Sequence, residues 1–254
     1  MSDHNIVVSV KNIEKSFEGR KVLDDITFNI KKGETFVIMG GSGSGKSTLM
    51  RIMTGGISPE AGQVYFGDKE ISRLREEEKD AIKRQFGMSF QSAALLDSLT
   101  VEENVSLPLK EHTKLTSKVI GIIAKMKLNL VGLQGFESYL PSMLSGGMRK
   151  RAGLARAIAM DPEIVFYDEP TAGLDPVMCA VIDKLILDLT KKLNLTSVVV
   201  THNMESVFRI ADRVAFLYQG KLLEVGTREE IRNSENEIVQ QFIKGEIEGP
   251  IQLT

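Results

Sequence analysis

An α/β fold is the expectation for this chain, and three observations lead to it. Strand-like segments fall in two groups, at 6–67 and 164–225, with a helix-favouring block between them. The apolar run Thr35–Met39 ends in glycines and passes directly into a helix-favouring segment. A second apolar run, Ile164–Tyr167, ends in two acids. Strands that return after a helical block are most simply one α/β core with the block inserted into it.

Taken in order, Ile6–Val10 is β-branched, Glu18-Gly19-Arg20 reads as a turn, and Ile26–Ile30 alternates. Thr35–Met39 is a short apolar run ending in glycines, the pattern of a buried strand. Lys46–Thr54 has helical character and is stopped by Gly55-Gly56. Gly62–Gly67 reads as a strand, and 71–84 as a charged, helix-favouring stretch. From about 91 to 161 the segments are helical, separated by Pro108, Pro141 and Gly146-Gly147. Ile164–Tyr167 and Ser197–Thr201 are strands with a helix-favouring stretch between them. Val214–Tyr218 and Lys221–Val225 form a hairpin about Gln219-Gly220, and a polar helix opens the tail after Gly226. No repeat or low-complexity tract interrupts the chain, so it reads as one nucleotide-binding unit.

At 254 residues the chain can bury a sizeable core. A hydrophobic share of 42% and a charged share of 26% are those of an ordinary soluble protein. The net charge of −2 argues against a nucleic-acid partner. Arg149-Lys150-Arg151 reads as a solvated helix face. The single cysteine, Cys179, admits no intrachain disulfide and suits a reducing compartment. No basic-then-apolar leader opens the sequence, and no apolar stretch approaches the about 20 residues of a membrane helix. A soluble, cytosolic protein is expected, reaching a membrane only through a partner.

The chemistry begins at Gly40-Gly41-Ser42-Gly43-Ser44-Gly45-Lys46-Ser47, which matches G-x-x-x-x-G-K-[ST] at every fixed position. Glycines let the backbone close around a phosphate, and the helix that follows, through Thr48, adds its positive end. Lys46 would reach the β- and γ-phosphates of ATP, and the Ser47 hydroxyl would hold Mg²⁺. Asp168 and Glu169 end a strand: the first suits Mg²⁺, the second the attacking water. Alone, such a pair is often a plain strand end; a phosphate loop upstream changes its reading. Ser145-Gly146-Gly147 enters a helix with bare N–H groups and a hydroxyl, a second anion site. One γ-phosphate does not need two loops from one chain, so the second is read as serving the ATP of another copy.

The set Gly40–Ser47, Gln91, Leu144-Ser145-Gly146-Gly147, Asp168-Glu169, Leu174-Asp175-Pro176 and His202 resembles the ATP-binding cassette (ABC) ATPases, in family order and over nearly the whole chain. The resemblance implies a P-loop NTPase (RecA-like) core with an antiparallel β subdomain and an inserted helical subdomain. The boundaries are about 1–90 and 162–225 for the core, 91–161 for the helical part and 226–254 for a C-terminal tail. It further implies that Phe17 stacks on adenine, that Gln91 touches Mg²⁺ or the attacking water, and that Asp175 lies at a dimer seam. His202 would contact the γ-phosphate and hold Glu169 in register. Met148 and Asn203 depart from the commoner Gln and acid.

Phe90–Leu96, Pro108–Thr113, Met148, Gln241–Gly245 and Gly249-Pro250 resemble the Mla/Mce phospholipid-transport ATPases. That likeness implies two copies docked on a membrane permease, with an Mce-type lipid-binding protein, at the cytoplasmic face of the inner membrane. Other readings are an amino-acid or lipoprotein ABC transporter, or a soluble regulatory or repair ATPase.

Overall fold

A computed structural model describes residues 5–71 and 74–251 of the chain. In chain order it has β1 (Ile6–Phe17), β2 (Arg20–Lys31), β3 (Thr35–Met39), α1 (Lys46–Met53), β4 (Ala61–Phe66), β5 (Lys69–Glu70) and α2 (Glu76–Lys83). Then come β6 (Phe86–Ser89), α3 (Val101–His112), α4 (Ser117–Leu130), a 3₁₀ turn at Pro141–Met143, α5 (Gly146–Ala157), β7 (Ile164–Asp168) and α6 (Pro176–Leu193). The chain ends with β8 (Thr196–Thr201), α7 (Met204–Ile210), β9 (Arg213–Tyr218), β10 (Lys221–Thr227), α8 (Arg228–Arg232) and α9 (Glu237–Lys244). Two units emerge: Met1–Lys79 with Val200–Thr254, and Asp80–Val199. Residues 72 and 73 of the charged 71–84 stretch, and the last three of the tail, lie outside the described residues.

In the first unit, β1 pairs antiparallel with β2 on one side and β4 on the other, and β5 follows β4. The turn from β1 to β2 has φ of 50° at Glu18 and 79° at Gly19, and Gln219 and Gly220 repeat the pattern at 46° and 78° between β9 and β10. Positive φ at both central residues marks the two-residue hairpin whose twist matches its strands. Strand β3 runs parallel to β9, and β9 antiparallel to β10. All five residues of β3 are buried, and four of them, Phe36–Met39, are apolar, as a strand covered on both faces requires. Phe28 stacks on Phe36 with ring centroids 5.1 Å apart, joining β2 to β3. Helix α1 buries Leu49, Met50, Ile52 and Met53, and Gly55, at φ 67°, turns the chain out of it. The tail is tied down by a buried amide: Gln241 donates to the carbonyls of Glu246 and Ile251 and accepts from the Ile251 N–H.

In the second unit, β6 and β7 form a parallel pair. The strand at 86–89 has no β-branched residue to announce it. Gly87 is there for space, since a Cβ would lie 2.2 Å from the Ala157 carbonyl oxygen. Helices α3, α4 and α5 pack together. Pro108 does not separate two helices, as expected from sequence, but sits inside α3. Its ring costs one backbone bond. The helix survives because its start is fixed by a capping box between Thr100 and Glu103, and because Val101, Val105 and Leu109 are buried along one face. Among the described residues no helix is long and apolar enough to cross a membrane.

Candidate functional site

Two constellations of the expected residues stand out, one in each unit. In the first, the glycines between β3 and α1 have distinct reasons. A Cβ on Gly40 would lie 2.0 Å from the Leu217 carbonyl oxygen, and on Gly45 it would lie 2.8 Å from the Val22 oxygen, so the backbone itself occupies that space. Gly43 faces open space but has φ 73°, a conformation glycine adopts without cost. Lys46 is buried, its ammonium donating to the carbonyls of Gly40 and Gly41 at 2.8 Å each, which cinches the loop into a ring. Ser42, Gly43 and Ser47 are exposed and Thr48 is half-buried.

This loop fits a phosphate. The first amides of a helix have no carbonyl behind them, and the Gly45 cap supplies no side chain to satisfy them. No acid lies in the first turn of α1 to compete for its positive end. The Ser44 hydroxyl is buried with no hydrogen-bond partner among the described residues, an orphaned donor inside the loop. Phe17, at the end of β1, is 47% exposed, with the Lys15 ammonium over its ring, 5.3 Å from the centroid. His202 is exposed just after β8. Asn203, where an acid is commoner, caps α7 by accepting from the Ser206 N–H at 3.1 Å.

In the second unit, Ser145 caps α5, accepting from the Met148 N–H at 3.3 Å, and Gly146 is exposed beside it. Gly147 is buried against Met178, and Leu174 lies close to Gly146. Asp175 caps α6, its carboxylate accepting from the N–H groups of Val177 and Met178 at 3.0 Å each. The fold thus brings the Ser-Gly-Gly turn and the Leu-Asp-Pro turn side by side. The Asp175 carboxylate occupies the start of α6, so an anion would meet the start of α5, at Gly146 and Gly147, where no acid lies in the first turn.

Asp168 and Glu169 are half-buried at the end of β7. Glu169 holds a left-handed φ of 45°, uncommon for a residue with a side chain. Its carbonyl accepts from the Ala172 N–H at 3.1 Å. Gln91 follows β6 and is exposed; beyond it, Ala93 and Ala94 also have left-handed φ, 62° and 46°. The Arg156 guanidinium holds both their carbonyls, at 2.7 and 2.6 Å, and burial lowers its pKa.

The expectation of a solvated face for Arg149-Lys150-Arg151 fails at Lys150, while Arg149 is exposed and Arg151 half-buried. Lys150 is buried, and its ammonium donates to the backbone carbonyls of Gln91 and Glu169. Burial pushes its pKa down, against the pull of the Glu169 and Asp168 charges. Arg149 donates to the Leu144 carbonyl and Arg151 to that of Gly132. All three side chains serve backbone oxygens outside their own helix, and such partners leave no mark on residue type or spacing.

Comparison with known proteins identifies the setting of these features. The family model described as "ABC transporter" matches residues 23–172. The Haemophilus influenzae intermembrane phospholipid transport system ATP-binding protein MlaF is 42% identical over 97% of this chain and 94% of its own length. A Mycobacterium leprae protein named as a probable ribonucleotide transport ATP-binding protein is 39% identical over 98% of this chain and 72% of its own. A dimeric structure of the ATP-binding cassette MJ0796, in a post-hydrolysis state with ADP and Pi, superposes with a TM-score of 0.77 at 32% identity, covering 87% of this chain and 98% of that one. This chain belongs to the ABC transporter family and is an ATP-binding, ATP-hydrolysing subunit with the P-loop NTPase fold.

Proposed function

We propose that this ABC ATPase powers phospholipid transport between membranes, working as a pair of copies on a membrane permease together with an Mce-type lipid-binding protein. The observation that carries this reading is the 42% identity to a phospholipid-transport ATPase, sustained across nearly the full length of both chains. The chain would act at the cytoplasmic face of the inner membrane, held there by the permease. It would function as one module, with about 91–161 as an inserted helical subdomain.

Within the site, Gly40 to Thr48 cradle the phosphates of ATP, with backbone N–H groups and the Lys46 ammonium as donors. For Lys46 this means exchanging its hold on the Gly40 and Gly41 carbonyls for phosphate oxygens. Phe17 stacks on adenine. Ser47, Asp168 and Gln91 hold Mg²⁺, which when bound neutralises charge on the phosphate oxygens. Glu169 accepts the proton of the attacking water, and His202 contacts the γ-phosphate and keeps Glu169 in register. Ser145, Gly146 and Gly147 meet the ATP held by the other copy, with Asp175 beside them at the seam. The exposed Ser145 and Gly146 at the start of α5, with no acid in its first turn, support that assignment. ATP then binds the closed pair better than the open one, and that difference drives closure; loss of phosphate reverses it.

The decisive experiment is to purify the native complex from membranes, identify its chains, and reconstitute it in liposomes with labelled phospholipid. ATP-dependent lipid transfer, with an Mce-type protein among the chains, is expected. Uptake of ribonucleotides instead, an amino-acid permease in the complex, or no lipid movement under any nucleotide condition would overturn the phospholipid reading and leave the ATPase standing.

A further inference from the structure

We propose that Lys150 is a positioning residue for hydrolysis: its ammonium ties the backbone at Gln91 to the backbone at Glu169 and so sets the two water-handling side chains relative to each other. This rests on the roles given above to Gln91 and Glu169. Three observations support it. The ammonium lies 2.5 Å from the Gln91 carbonyl oxygen and 3.2 Å from that of Glu169, and the side chain is buried in the second unit. Charge-assisted bonds of this kind are roughly twice as strong as neutral ones, and stronger still away from water.

Both tied segments are conformationally costly. Glu169 has φ 45°, and Ala93 and Ala94, two and three residues past Gln91, have φ of 62° and 46°. Side-chain-bearing residues adopt this region at a cost and persist there only where the surroundings hold them. Helix α5 supplies the hold from one face: Lys150 takes Gln91 and Glu169, Arg156 takes Ala93 and Ala94, and Gly153 lets the backbone in, since a Cβ there would lie 3.1 Å from the Ala93 Cβ. Arg156 anchors only the loop. Lys150 touches both water-handling residues, so it is the link between them. The same helix begins at Ser145, so a displacement there has a direct path to both residues.

Lys150→Met keeps the apolar stem and removes every donor. Its kcat for ATP is expected to fall about 10- to 100-fold, with KM and the ATP dissociation constant within about twofold, because the phosphate loop lies elsewhere in the chain. Without nucleotide, hydrogen exchange should quicken about tenfold at the turn amides of Ala93 and Ala172, which donate to Phe90 and Glu169. Lys150→Gln, one bond shorter but with two N–H donors, should recover part of both losses. A Lys150→Met protein with kcat and both exchange rates within twofold of wild type overturns the proposal. So does a kcat loss that only mirrors a smaller folded fraction. Should Lys150→Met not fold, Lys150→Gln decides by the same two readouts, and failure of both to fold also overturns it, since the bonds would then serve the fold alone. A Glu169→Gln variant that still hydrolyses ATP would sink the catalytic reading instead, leaving the exchange result untouched.

Discussion

Gly40→Ala asks how much of the phosphate loop is dictated by space alone. The added Cβ would sit 2.0 Å from the Leu217 oxygen and 2.9 Å from the Ser44 Oγ, where ordinary contact begins near 3.4 Å. Leu217 cannot retreat, because β9 is bonded to β3 on one side and to β10 on the other. The shortfall of roughly 1.4 Å must be met by the loop itself. Overpacking of this kind costs about 1–3 kcal/mol, and the positive φ adds about 1 kcal/mol. A total of about 3 kcal/mol predicts a fall in Tm of about 6–12 °C for a chain this size. If the loop instead deforms to relieve the clash, the same energy appears as roughly a 100-fold loss of ATP affinity. Two neighbours calibrate the result. Gly43→Ala meets no atom within 4 Å and has only its φ of 73° to overcome, and Gly41→Ala makes an ordinary 3.8 Å contact with Phe242. Thermal unfolding and ATP titration calorimetry on all three should rank Gly40 well above Gly43, and Gly43 above Gly41. A Gly40→Ala protein matching Gly41→Ala in both Tm and affinity would refute the steric argument.

Glu169→Gln should bind ATP with near wild-type affinity and lose turnover by about 100-fold or more, since an amide cannot take the water's proton; that loss is about 2.7 kcal/mol of barrier. Steady-state hydrolysis beside calorimetric binding separates the two effects, and near-normal turnover would remove Glu169 from the role of base. Ser145→Arg in the Glu169→Gln background should abolish ATP-driven pairing in sedimentation while sparing monomer affinity; pairing that persists would end the assignment of Ser145 to the other copy's ATP. Leu96→Glu charges a side chain that is 50% exposed, next to a backbone fixed by Asn104. It should leave basal ATPase within about twofold and suppress lipid transfer in the reconstituted complex. Equal loss of both activities, or neither, would count against a coupling surface there.

Much of the architecture could be read directly from residue order. The apolar run of β3 followed by the glycine loop, and the two-residue turns at Glu18-Gly19 and Gln219-Gly220, are local features, and local sequence determines them. The caps at Ser145 and Asp175 are equally local, because a side chain satisfies amides two or three residues ahead. Strand β6 was not legible: Phe86–Ser89 lacks β-branched residues and gains its conformation by pairing with β7, far along the chain. Helix α3 likewise runs through Pro108 because its buried face outweighs one lost bond. Lys150 marks the same limit within the site. In sequence it is the middle of three cations on a helix; in the fold it is buried between two carbonyls 59 and 19 residues away. Motifs are visible where chemistry demands particular side chains at short spacing. The tertiary structure alone decides what backbone atoms a side chain meets, because carbonyl oxygens are the same in every residue and only folding says which ones come near.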